Sequence, residues 1–64
     1  MERFEVFMGT RGIFRWRLKA PSGEIIATSE GYLSKQGCQN AIGGVKKYAP
    51  TAEEVDLSLP AFIK

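Results

Sequence analysis

The 64-residue sequence contains no histidine and a single cysteine, Cys38. Without imidazole, the usual proton shuttle and activator of a nucleophile is missing. Cys38 has no second thiol with which to form an intrachain disulfide or to share a structural zinc ion. Lys35 is near it in sequence and would favour the thiolate, but no base accompanies the pair, so a buried, inert thiol is expected. Glu24, Glu30, Glu53, Glu54 and Asp56 do not have the spacing of a calcium loop. The glycines do not have the spacing of a phosphate loop. The sequence therefore predicts no catalytic residue, no metal site and no cofactor.

The residues with chemical character are Arg15, Arg17 and Lys19, which alternate with Phe14, Trp16, Leu18 and Ala20 along 13–20, I-F-R-W-R-L-K-A. A period of two places the cations on one face of a β-strand and the apolar residues on the other. Successive cations then stand about 6–7 Å apart. Phe7 and either Ile25 or Ile26 flank them, and charge mixed with aromatic contact is how single-stranded nucleic acid is bound. The competing reading is a solvated face neutralised by Glu5 and, in an assembly, by Glu54 and Asp56 of a second chain. Nine Lys and Arg against seven Asp and Glu give a net charge of only +2, well short of a dedicated nucleic-acid binder. The neutralised face is the preferred reading, with single-stranded nucleic-acid binding by Arg15, Arg17, Lys19 and Phe7 as the alternative. No membrane partner is expected, because the apolar runs fall far below the roughly 18–20 residues of a span. The opening M-E-R-F-E-V-F has no apolar signal-peptide core. A cytoplasmic protein with a reduced thiol is expected.

The elements that must position this face follow from the same periodicities. In residues 3–8, Phe4, Val6 and Met8 alternate with Glu5 and Phe7, predicting a first strand. Two turns fit Gly9-Thr10-Arg11-Gly12. A three-residue loop with Gly12 left-handed sets Phe4 against Leu18, Val6 against Trp16, Met8 against Phe14 and Glu5 against Arg17. A two-residue loop slips the pairing by one and places Val6 opposite Arg15. The first sorts apolar with apolar and opposes unlike charges, so it is adopted. Pro21-Ser22-Gly23 makes the next turn, with Pro21 at its first position and Gly23 left-handed. A third strand follows over 24–29. Ile26 faces Leu18 if the turn has three residues, and Ile25 takes that place otherwise; the sequence leaves both open.

From Ser34 the period lengthens. Cys38, Ala41, Ile42, Val45 and Ala49 fall on one helical face, with Ser34 as N-cap, Lys46 and Lys47 in the last turn and Pro50 as the stop. Gly37, Gly43 and Gly44 weaken this helix, so it depends on packing against the sheet. Over 53–59, Val55, Leu57 and Leu59 alternate with Glu54, Asp56 and Ser58, predicting a fourth strand that Pro60 ends. The fold class predicted is α+β: a β-β-β-α-β unit with one helix on one face of an antiparallel sheet. Residues 1–59 form the domain and 60–64 a short tail. The expected core is Phe4, Val6, Phe14, Trp16, Leu18, Ile42 and Val45, with Met8 also under the helix. A chain of this size buries only about 60% of its unfolded surface. With neither disulfide nor metal to staple it, a partner chain is expected. Residues 1–20 carry five positive and two negative charges and residues 53–64 one positive and three negative, so two copies could attract each other.

F-x-V-F in the first strand, F-R-W-R-L-K-A, the S-G turn, E-I-I-A-T-S-E-G-Y and S-K-Q-G-C-Q-N-A-I-G-G-V-K-K-Y-A-P together resemble the YegP-like family, small bacterial and archaeal proteins of unknown function. The resemblance spans about residues 4–55. It departs at Ser22, where Asn usually precedes Gly, and in the L-S-L-P-A-F-I-K tail. It implies a β3-α-β unit that is incomplete alone and pairs with a second unit by exchanging C-terminal strands. For this chain that implies a homodimer in which Val55, Leu57 and Leu59 lie on the swapped strand.

Overall fold

The computed structural model describes residues 1–58, in an antiparallel three-stranded sheet with one helix. The strands are β1 (Arg3–Met8), β2 (Phe14–Lys19) and β3 (Ile25–Thr28), in spatial order β1-β2-β3, followed by helix α1 (Lys35–Tyr48). The architecture is the α+β class read from the sequence.

β1 and β2 pair residue for residue, Phe4 with Leu18, Glu5 with Arg17, Val6 with Trp16 and Met8 with Phe14. This is the register that sorts apolar and charged partners to opposite faces. The loop between them has three residues, but its geometry differs from the expected single left-handed glycine. Arg11 (φ 61°) and Gly12 (φ 68°) are both left-handed. The amide of Ile13 donates to the Thr10 carbonyl at 3.3 Å, and that of Gly9 donates to the Ile13 carbonyl at 2.7 Å. The turn is thus of the doubly left-handed hairpin type, and the extra residue is absorbed upstream at Gly9-Thr10. Arg11 holds a conformation that a Cβ disfavours.

The second turn follows expectation. The Gly23 amide donates to the Ala20 carbonyl at 2.9 Å, and Gly23 has φ 95°. The isoleucines follow the three-residue-turn reading only in part: Ile25 falls on the basic face, but Ile26 does not face Leu18. Lys19 pairs with Ile25, but Leu18 pairs with Ala27, so Ile26 is the extra residue of a bulge. Ile25 and Ile26 are 49% and 60% exposed, and Ala27 takes the place beneath the helix. Beyond β3 the chain returns to β2 at Tyr32, whose amide and carbonyl both bond Phe14.

α1 begins as its cap predicts: the Ser34 hydroxyl accepts from the Gly37 amide at 3.0 Å. Its first turn lies beside Tyr32, and Lys46 near its end stands over the Phe4 ring at 5.8 Å. The core beneath it is Trp16, Cys38 and Ile42, ringed by Phe4, Phe14, Leu18, Ala27, Tyr32, Ala41 and Val45. The Phe4 ring meets Trp16 edge to face, with centroids 5.4 Å apart. Two expected members are not in it. Val6 is 36% and Met8 63% exposed, because the helix packs chiefly on β2 and meets β1 at its Phe4 end.

The expected fourth strand is also not formed among the described residues. Residues 52–58 form no ladder, and Val55 and Leu57 are 61% and 88% exposed. A strand exists only against a neighbour, and among the described residues this segment has none. Leu59 and the tail lie outside the described residues.

Candidate functional site

The basic ladder does not stand as three equivalent cations. Glu5, opposite Arg17 on β1, gathers its neighbours from both sides. Its Oε1 accepts from Arg17 Nε at 2.6 Å and lies 3.6 Å from Lys19 Nζ. Its Oε2 accepts from Arg3 Nε at 2.8 Å and lies 2.6 Å from the second nitrogen of that guanidinium. Hydrogen bonds from Arg17 and then Arg3, with Lys19 adding its field, hold the Glu5 carboxyl at a pKa of about 2. Arg3 and Lys19 face each other across the strands, a like-charge pair that Glu5 bridges.

Arg3 is the member that the sequence reading missed. The signal was available: it is two residues before Glu5, hence on the same face, and opposite Lys19 in the register adopted. It went unused because the apolar pattern marks it only as the start of a strand.

Arg15 goes elsewhere. Its guanidinium reaches the Ser29 carbonyl at 3.4 Å, on the β3 side, and its side chain passes over Gly9 and Gly31. Gly31 has no room for a Cβ, which would meet the Ile13 side chain. The Arg17 guanidinium lies over the Phe7 ring, 4.7 Å from its centroid. Phe7 therefore offers no open ring face on that side to a nucleotide base. The structure brings Arg17, Lys19 and Phe7 together with Arg3 and Glu5, and it sets Arg15 apart. Four cations to one carboxylate leave this face positive.

Cys38 is completely enclosed between helix and sheet. Tyr32 packs over the same cluster as a lid on the helix start. Among the described residues, no three of His, Cys, Asp and Glu come together as a metal site. No helix among them is long and apolar enough to cross a membrane. A shallow groove of about 400 Å³ opens at the far end of the sheet, lined by Glu2, Arg3, Phe4, Leu18 and Lys46. Its floor is apolar and its rim is charged.

Residues 10–56 match the family model described as a domain of unknown function, DUF1508. A UPF0339 protein of Agrobacterium fabrum is 50% identical over 56 residues, covering 88% of this chain and 90% of its own. A UPF0339 protein of the archaeon Methanosarcina acetivorans is 46% identical over 57 residues, covering 89% and 98%. The solution structure of a protein from Haloferax volcanii superposes with a TM-score of 0.79 at 41% identity, over 86% of this chain and 93% of that one. The sheet, the helix and these matches over nearly whole chains agree, and the chain belongs to the YegP-like family of UPF0339 (DUF1508) proteins.

Proposed function

We propose that the chain is a non-enzymatic structural or protein-interaction module of the cytoplasm, working as a homodimer whose sheet is completed by residues 53–59 of a second copy. The observation that carries this reading is the segment after the helix. Val55 and Leu57 are largely exposed, alternate with Glu54 and Asp56, and have no strand beside them. The surface area is in keeping with it. The single chain exposes 5416 Å², where a compact chain of 7.1 kDa exposes about 4,100 Å². A standard interface takes about 800 Å² from each partner, so the excess is large enough to supply one. The radius of gyration, 15.1 Å, also exceeds the roughly 11 Å of a compact 64-residue domain. Static light scattering across the micromolar range tests the reading. A dimer mass is expected, and a monomer at high micromolar concentration overturns it.

One observation favours a second reading, an anion-binding or single-stranded nucleic-acid-binding face. Arg15 is exposed, and its hydrogen bond goes to a carbonyl rather than a carboxylate. Fluorescence titration with a labelled oligonucleotide separates the two. The second reading requires binding that falls steeply with salt and is lost in Arg15→Glu/Arg17→Glu. The absence of binding at about 50 mM salt leaves the structural module.

A further inference from the structure

Beyond the groove already described, the sheet has a second recess, of about 240 Å³. It lies between Arg3 and Lys19, which oppose each other across β1 and β2, and the turn from Ala20 to Gly23. Two cations line it and no carboxylate does. Glu5 does not use up either cation. Lys19 Nζ stands 3.6 Å from Glu5 Oε1, too far for a hydrogen bond, and its side chain is partly exposed. Arg17 holds that oxygen instead, at 2.6 Å. Arg3 spends Nε and one terminal nitrogen on Glu5 Oε2, and its other terminal nitrogen has no partner among the described residues. The turn adds a third donor. The Ser22 hydroxyl accepts from the Glu24 amide at 3.4 Å, which leaves its own proton to donate.

We infer that this recess binds a phosphate monoester. Arg3, Arg17 and Lys19 share the single carboxylate of Glu5, so two positive charges stay uncompensated at this end of the face. A phosphate monoester carries a charge of about −1.5 to −2 near pH 7 and matches that surplus, where a carboxylate or a phosphodiester supplies only one. Its terminal oxygens suit donors that converge from different directions: the planar fork of Arg3, the point charge of Lys19 and the Ser22 hydroxyl. The strand pairing fixes Arg3 opposite Lys19, and the Gly23 amide, bonded to the Ala20 carbonyl at 2.9 Å, fixes the turn. The backbone of the site is thus in place before a ligand arrives. The same chemistry covers a small phosphorylated compound and the phosphorylated end of a nucleic-acid strand. The inference goes beyond the anion-binding reading above: it uses neither Arg15 nor Phe7, and it does not depend on the homodimer.

Titration of the isotope-labelled protein with methyl phosphate, read by its amide shifts, tests the site, with dimethyl phosphate at equal ionic strength as the singly charged control. Saturable shifts centred on Arg3, Lys19, Ser22 and Gly23 are expected, with dimethyl phosphate bound at least about fivefold more weakly. Lys19→Gln should weaken binding of methyl phosphate at least about threefold, and Arg15→Gln less than about twofold. Binding should also weaken as pH falls below about 6, where the monoester takes up its second proton. Absence of saturable shifts, equal binding of the two esters, or shifts centred on Arg15 overturns the inference. The anion-binding reading stands or falls separately, on the oligonucleotide titration through Arg15 and Arg17. A trinucleotide with a 5′-phosphate, set against the same strand with a 5′-hydroxyl, identifies the source. Tighter binding of the phosphorylated strand than of methyl phosphate supports the site with a nucleic-acid end as its ligand, and affinity equal to that of methyl phosphate supports it with a small phosphorylated compound. Equal binding of the two strands overturns it.

Discussion

Trp16 and Val6 face each other across the same pair of strands and point to the same side of the sheet, yet Trp16 is 8% exposed and Val6 36%. One residue is at the centre of the core and its direct neighbour is at the rim. The difference comes from one helix, which packs chiefly on β2, covers Trp16 and meets β1 at Phe4, where Lys46 stands over the ring. A single 14-residue helix has the width to cover about two strands. Here it packs on β2 first and on the Phe4 end of β1 next, with Ala27 of β3 at the margin of the same cluster. One chain builds a core under its helix and leaves Val6 and Met8 of β1 as an apolar ledge.

This contrast can be broken by mutation. Trp16→Ala should cost about 3–5 kcal/mol, enough to unfold a domain of this size, whereas Val6→Ala in dilute protein should cost about 1 kcal/mol. Chemical denaturation measures both, and equal costs would show that the helix does not create the asymmetry. Ser34→Ala removes the hydroxyl that holds the Gly37 amide and should lower stability by about 1 kcal/mol, loosening the cover over Trp16 without touching Val6. Arg11→Asn tests the turn that sets Val6 opposite Trp16. Asn tolerates the left-handed conformation better than Arg, so the variant should be more stable by a few tenths of a kcal/mol, up to about 1.

The remaining prediction concerns the other face of the same two strands and is expressed as a pH profile. Glu5 has its pKa lowered from 4.5 to about 2 in the folded chain, by hydrogen bonds from Arg17 and Arg3. Above pH 4.5 the carboxyl is ionised whether the chain is folded or not, and its contribution is complete. As pH falls from 4.5 towards 2 the unfolded chain takes up the proton first, so stability declines through that window. Thermal denaturation of Glu5→Gln should show a flatter profile between those limits. An unchanged slope would mean that the cluster does not couple to folding.

Much of this was legible in the residues. The register of β1 on β2 was readable because slipping it by one would oppose Val6 to Arg15 and Glu5 to Trp16. The helix was readable from Ser34, Pro50 and the Cys38–Ile42–Val45 stripe. The neutralisation of Arg17 by Glu5 followed from that register. The gathering of Arg3 and Lys19 onto the same carboxylate, and the departure of Arg15 towards Ser29, did not. Long cationic side chains choose among several partners within reach, and a pattern of alternation says which face they occupy but not which way they lean.

Local sequence determined the elements, their order and the faces of β1 and β2, since steric turn preferences and the sorting of apolar from charged side chains act between near neighbours. Three things were decided only in the assembled fold. Ile26 was displaced and Ala27 brought under the helix because the space there, between Leu18 and the helix, is set by packing across the sheet. Val6 was left exposed because its burial depends on where the helix axis lies. Residues 52–58 formed no strand because pairing needs a neighbour, and the hydrogen bonds of a strand belong to two segments at once.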